Sequence, residues 1–311
     1  MAFNHTTRAI LKAFSFDGIE VEASRHLADL KRLDPMKIFY KKIDYKILNG
    51  DHEVPTRIFF PDEITFDDQD AGHNKVMLFI HGGGWATESI DNYERICALL
   101  AQAAQHIVVS VEYRLAPEYK FPLGLEDCYA VAKAIFQNKF ILNVDPEDVT
   151  LIGDSAGGNL CAALSLMAKD KGEFMPKRQI LVYPAVNSDY SEKSGFESVR
   201  ENGTDYLLTA GKMRDYIEFY ASCEEDKKNP YFAPIYAEDL TGQPDTLVLT
   251  AEFDPLRDEG EEYARRLKEA GNYVEQYRLP DALHGFFALG IKNFHVQESF
   301  DCINHFLRTR L

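Results

Sequence analysis

Gly153-Asp154-Ser155-Ala156-Gly157-Gly158 follows the apolar run Val149-Thr150-Leu151-Ile152 and precedes Asn159-Leu160-Cys161-Ala162-Ala163-Leu164. This is G-x-S-x-G at the junction of a short β-like segment and a helical one, the place where a nucleophile elbow has to lie. Glycine on both flanks permits the sharp turn, since a side chain there would meet the neighbouring strand and helix. Such a turn lifts the Ser155 hydroxyl out of the strand end with a helix N-terminus beneath it. That hydroxyl becomes a nucleophile if a base stands beside it.

Outward from this turn the chain alternates between strand and helix. Val76 to Ile80, Ile107 to Val111, Val149 to Ile152, Ile180 to Tyr183 and Thr246 to Leu249 are short and apolar throughout. Strands apolar on both faces belong to a parallel sheet covered by helices on each side. Helical patterns fall between them at Tyr93 to Ala104, Leu125 to Gln137, Leu160 to Lys169 and Asp258 to Ala270. The expected class is therefore α/β. Upstream, Lys42 to Leu48 and Val54 to Phe60 flank Asn49-Gly50-Asp51, a hairpin signal. Residues 1–40 show only helical periodicity (Ile10, Leu11, Phe14, Val21, Leu27, Leu30), and Asp62 to Asn74 reads as an acidic loop. Residues 187–225 interrupt the rhythm, polar first and helical around Lys212 to Cys223, and an insertion there would sit above the sheet's C-terminal edge as a cap. The expected division is 1–40 and 187–225 as cap, with 41–186 and 226–311 as the two parts of the core.

A serine hydroxyl needs a base in hydrogen-bond reach and an orienting acid behind it. Asp254 lies in Leu249-Thr250-Ala251-Glu252-Phe253-Asp254-Pro255, the end of a strand that Pro255 stops. His284 follows Tyr273 to Leu279 and Pro280-Asp281-Ala282-Leu283, which places it in a loop at the same sheet edge. The order serine, acid, histidine is the one expected on an α/β-hydrolase sheet. Glu252, Asp258 and Asp281 compete with Asp254 for the acid's place, Glu252 most strongly because it points to the same side. His81-Gly82-Gly83-Gly84-Trp85 follows the strand at 76–80 directly, and its unshielded backbone N–H groups suit a developing oxyanion. The Ala156 N–H at the helix start adds a further donor. A phosphate cradle is the other reading of such glycines, but neither G-x-x-x-x-G-K-[ST] nor G-x-G-x-x-G is present.

The 311 residues are 45% hydrophobic, enough for a large core, and carry 50 acidic against 34 basic side chains, a net charge of −16. So acidic a chain is a poor partner for nucleic acid or anionic membranes. No run of about 18 apolar residues occurs, and Met1-Ala2-Phe3-Asn4-His5 does not begin a secretory signal. The five cysteines (Cys97, Cys128, Cys161, Cys223, Cys302) lack CxxC spacing, and four lie in apolar helical patterns. They read as reduced thiols of a cytoplasmic protein, with no metal site and no cofactor expected.

Taken together, His81 to Trp85, Gly153 to Asn159, Tyr113-Arg114-Leu115-Ala116-Pro117-Glu118 with Phe121-Pro122, Asp254 to Gly260 and His284-Gly285-Phe286 resemble the hormone-sensitive-lipase-like α/β-hydrolases, also called bacterial family IV esterases. The match runs from about residue 45 to the C-terminus, and Gly-Asp-Ser-Ala-Gly marks one of two subgroups. The resemblance implies a carboxylic ester hydrolase with Ser155, Asp254 and His284 as its triad. It implies Gly82, Gly83 and Ala156 as oxyanion donors, with His81 and Gly84 supporting the loop and Glu118 as a turn residue. Trp85 and Leu208 are candidates for the substrate pocket. Short acyl esters are the implied substrates; deacetylation of carbohydrates or hydrolysis of small amides is the alternative within the same machinery. A homodimer through the strand near Tyr273 to Leu279 is also implied. Ligand-binding relatives of this fold lack the histidine that His284 supplies.

Overall fold

The structure is a computed structural model that describes residues 8, 11–13, 15, 17–29, 37, 39–62, 74–137, 139–289 and 294–310. Ile10, Phe14, Leu30 and most of the acidic 62–74 segment lie outside these. Eight strands form one sheet: β1 (Lys42–Asn49), β2 (His52–Phe59), β3 (Val76–Ile80), β4 (Ile107–Val111), β5 (Val149–Asp154), β6 (Arg178–Val182), β7 (Asp245–Phe253) and β8 (Val274–Leu283). Their spatial order is β1-β2-β4-β3-β5-β6-β7-β8. Only the β1–β2 and β2–β4 pairings are antiparallel; from β4 to β8 every pairing is parallel.

The helices are α1 (Val21–Asp29), α2 (Glu94–Ala104), α3 (Leu123–Phe136), α4 (Ala156–Lys171), α5 (Glu197–Asn202), α6 (Ala210–Tyr220), α7 (Arg257–Glu269) and α8 (Phe294–Thr309). The strands' two-residue period divides the core between two faces. Val76, Leu78 and Ile80 of β3 pack with Leu125 of α3, Leu160 of α4 and Tyr263 of α7. Met77 and Phe79 pack on the opposite face with Ile96 and Leu100 of α2 and Ile303 and Phe306 of α8. All five residues of β3 and of β4 are buried, which is why their sequences, apart from Ser110, are apolar without alternation.

Several boundaries differ from the sequence reading, each for a tertiary reason. β2 begins at His52, because antiparallel pairing with Asn49 carries the ladder right up to the turn. α4 begins at Ala156, four residues earlier than periodicity suggested, so its first turn contains Gly157 and Gly158. α6 begins at Ala210, where Thr209 Oγ1 caps it by accepting the Lys212 N–H at 3.0 Å. β8 continues through Pro280 to Leu283. It is the edge strand, so the N–H that proline lacks leaves no unmet partner. His284 therefore stands at the strand's end, without an intervening loop. Among the described residues, no helix is long and apolar enough to cross a membrane.

Candidate active site

The turn between β5 and α4 holds Ser155 at φ 54°, ψ −119°, a left-handed conformation that costs a non-glycine residue about 1–3 kcal/mol. Its surroundings impose it. The Ser155 N–H donates to Val182 O at 2.9 Å, and Ser155 O accepts from Asn159 N (3.0 Å) and Ala185 N (3.2 Å). The turn is possible because a Cβ on Gly157 would lie 2.0 Å from Ile80 O.

His284 and Asp254 reach the serine from the far strands. β7 and β8 run in parallel register that shifts between Ala251 and Phe253, after which Phe253 pairs with Leu283. The residues that follow these strands are Asp254 and His284, so the register itself brings these two side chains together. His284 Nδ1 lies 2.7 Å from Asp254 Oδ2, and His284 Nε2 lies 2.9 Å from Ser155 Oγ. Asp254 is fully buried, and its second oxygen accepts the Leu256 N–H at 2.8 Å. The competing acids are committed elsewhere. Glu252 Oε2 accepts the Asp281 N–H at 2.7 Å, and Asp258 serves Ser198 N (2.7 Å) and Arg257 Nε (2.8 Å).

The glycine loop after β3 requires a correction to the expected donors. Gly82 N–H donates to Asp154 Oδ1 at 2.9 Å. One N–H carries one hydrogen, so Gly82 is not available to an oxyanion. Gly82 is also absent from the lining of the cavity at Ser155, whereas Gly83, Gly84 and Ala156 all face it. Of the expected donors, Gly83 and Ala156 face the cavity and Gly82 does not, while Gly84, expected as a support for the loop, stands at the cavity wall. Gly83 (φ 105°) and Gly84 (φ 58°) both need the left-handed region. A Cβ on Gly84 would fall 2.3 Å from the Tyr216 ring.

Asp154, within the serine motif but not singled out by the sequence, is the acceptor at the centre of this arrangement. Besides Gly82 it takes the hydroxyls of Tyr93 (2.9 Å) and Tyr183 (3.2 Å) on Oδ2. Burial raises its pKa to about 6, against the opposing pull of those donors. Burial likewise pushes both tyrosines well above their usual range, so each keeps its proton to donate. Proximity in sequence to Ser155 was the available clue, but the partners come from three separate segments.

His81 is fully buried, its Nδ1 2.8 Å from Gly82 O, and its ring stacks on Tyr113 with centroids 4.5 Å apart. Tyr113 OH donates to His81 O at 2.9 Å. The ring is thus a support for the loop and stands apart from the serine. Trp85 and Leu208 both line the cavity, joined by Leu207, Met213 and Tyr216 from the 187–225 segment. Trp85 stacks face to face on Tyr220 (4.8 Å, 2°) and donates Nε1–H to Asn159 Oδ1 at 3.3 Å. The cavity has a volume of about 270 Å³, just under the roughly 300–1,000 Å³ of sites for drug-sized ligands.

A buried carboxylate, an imidazole and a serine in unbroken hydrogen-bond sequence, beside a cavity lined by Gly83, Gly84 and Ala156, define the class of serine hydrolases. Residues 77–288 match the model of the α/β-hydrolase fold family. The chain is 36% identical over 274 residues to an arylesterase of Saccharolobus solfataricus, covering 88% of this chain and 85% of that one. It is 31% identical over 240 residues to an ethyl acetate hydrolase of Pseudomonas putida, covering 77% and 73%. Among solved structures, a hyperthermophilic esterase from the archaeon Pyrobaculum calidifontis superimposes with a TM-score of 0.84 at 33% identity, covering 98% of this chain and 97% of that one. The chain belongs to the α/β-hydrolase fold family. Its activity is that of a carboxylic ester hydrolase.

Proposed function

We propose that Ser155 is the nucleophile of a two-step acyl transfer to water. His284 Nε2 takes the serine proton as Oγ attacks the ester carbonyl, and the developing oxyanion lies against the N–H groups of Gly83, Gly84 and Ala156. His284 then protonates the leaving alcohol and, in the second step, activates water against the acyl-enzyme. Asp254 holds the imidazole tautomer and stabilises the imidazolium. The observation that carries this reading is the continuous Ser155–His284–Asp254 chain at 2.9 and 2.7 Å.

Short acyl esters are the proposed substrates. The small cavity, closed by Leu207, Leu208, Met213 and Tyr216, supports this, as does the ethyl acetate hydrolase among the relatives. We assign residues 1–40 and 187–225 to a cap over the core, and the Gly-Asp-Ser-Ala-Gly sequence supports membership of that subgroup of hormone-sensitive-lipase-like enzymes. β8, the open edge of the sheet with Tyr273 and Tyr277 exposed, is the proposed homodimer contact. Free thiols at all five cysteines fit a cytoplasmic setting. The direct test is Ser155→Ala against p-nitrophenyl esters from acetate to decanoate. Loss of about 10⁴-fold or more in kcat is expected, with wild-type turnover falling as the acyl chain lengthens. Turnover within tenfold of wild type would refute the assignment.

A further inference from the structure

The loop that carries Gly83 and Gly84 is tied at both ends. At its start, Asp154 Oδ1 holds the Gly82 N–H. At its far end, Arg25 of α1 donates Nε–H to Ala86 O at 2.9 Å. The same guanidinium donates from Nη2 to Ala116 O at 3.0 Å, and Ala116 N–H in turn donates to Trp85 O at 2.8 Å. Its outer edge meets Glu118 through two parallel bonds, Nη1 to Oε1 and Nη2 to Oε2, each 2.8 Å.

This is an unusual investment for a surface helix. α1 buries only Ala28, and Leu27 is 70% exposed, so apolar packing holds the helix weakly. Cavities of about 630 and 760 Å³ flank it, both lined in part by Ala28. The ion pair itself is half-exposed, with side-chain exposures of 30% for Arg25 and 53% for Glu118. Pairs so placed contribute little stability. Their effect is geometric: a bidentate carboxylate fixes the plane of the guanidinium, and the remaining N–H vectors then point at chosen acceptors. Here those acceptors are backbone carbonyls on two segments, the end of the glycine loop and the 113–118 stretch beside it. Arg25 also draws the Glu118 carboxyl down to about 2, so the pair stays ionised across the working range.

We propose that Arg25, oriented by Glu118, is a positioning residue for the oxyanion donors, fixing from outside the core the far end of the loop that presents Gly83 and Gly84. Arg25 touches no reacting atom. It acts through the Ala86 and Ala116 carbonyls, and the backbone donors lie between that anchor and Asp154. The inference rests on the reading of Ser155 and the glycine loop given above.

The test compares Arg25→Ala, Arg25→Lys and Glu118→Gln with wild type in kcat, KM, thermal midpoint and affinity for a trifluoromethyl ketone, which forms a tetrahedral adduct on the serine. Loosened donors should lower kcat of Arg25→Ala by about tenfold or more, less than the loss of a whole donor. KM should change little, and ketone affinity should fall in step with kcat/KM. Arg25→Lys and Glu118→Gln should show smaller losses of the same kind. Millimolar guanidinium, against equal sodium chloride, should restore part of the Arg25→Ala rate. A folded Arg25→Ala enzyme with wild-type kcat, or one whose loss falls in KM while ketone affinity is retained, overturns the proposal. If Arg25→Ala does not fold, the same criteria apply to the other two variants. Labelling of wild-type Ser155 by a fluorophosphonate separates the two readings. Failure to label refutes the site, whereas labelling combined with unchanged Arg25 kinetics refutes only the positioning role.

Discussion

Asp154 Oδ1 accepts the Gly82 N–H at 2.9 Å, so the residue before the nucleophile and the first glycine after β3 form one mechanical unit. Through this bond the serine turn and the glycine loop, from different strands, are set at a fixed distance. Removing the acceptor in Asp154→Ala leaves a buried N–H unpaired, at a cost of about 1–3 kcal/mol in stability. It should also lower kcat by about 10- to 100-fold as the loop relaxes. Asp154→Asn keeps an oxygen for Gly82, and the tyrosine hydroxyls can turn to accept from its amide, so its loss should be smaller. Steady-state kinetics and urea unfolding on both variants check this ordering.

The acid should be identifiable by substitution. Asp254→Asn presents an amide where the imidazole needs an acceptor, and kcat should fall by about 10⁴-fold. Glu252→Gln should stay within about threefold of wild type, because Glu252 serves the Asp281 N–H and not the imidazole. Equal losses in the two variants would contradict the assignment of Asp254.

Glu259 supplies a pH-dependent term in stability. It is fully buried on α7, and its Oε1 accepts from Val186 N (2.9 Å), Asn187 N (3.2 Å) and Tyr190 OH (2.8 Å). Its Oε2 has no hydrogen-bond partner among the described residues. Burial raises its pKa from 4.5 to about 8. Between those values the folded state binds more protons than the unfolded state, so this group's contribution to stability falls as pH rises. Glu259→Gln should flatten that decline, and the gap between variant and wild type should move in the variant's favour from pH 6.5 to 8. Urea midpoints across this window measure it; Asp154, with its pKa of about 6, contributes mainly below it.

Gly84→Ala should damage the loop from the opposite side. The added Cβ meets the Tyr216 ring at 2.3 Å and demands a φ of 58° from an alanine. Either the ring or the loop must move, and kcat should drop by at least about tenfold. Trp85, the next residue and the single tryptophan of the chain, is stacked on Tyr220. Its emission should therefore change in Gly84→Ala and remain as in wild type in Glu252→Gln.

Much of the fold was legible because burial on both faces leaves a direct imprint on sequence. β3, β4 and β5 are buried along their whole length, and each is an apolar run bounded by turns. β8 was harder: Pro280 reads as the end of a strand at Leu279, but an edge strand tolerates a proline and continues to Leu283. At the site, Ser155, Asp254 and His284 could be singled out because each follows a strand at the sheet's C-terminal edge. The donors could not be allotted in the same way, since Gly82, Gly83 and Gly84 are alike as letters.

The sequence by itself determined the α/β alternation, the turn at Gly153 to Gly158 and the order of serine, acid and histidine along the chain. These depend on local quantities: periodicity, glycine content and the ends of apolar runs. The tertiary structure alone decided that Gly82 belongs to Asp154, that Glu252 belongs to Asp281, and that Arg25 reaches across to Ala86 and Ala116. Each of those is a choice of hydrogen-bond partner between segments distant in sequence. A donor hydrogen can be given only once, and which acceptor receives it depends on distances that no single segment encodes.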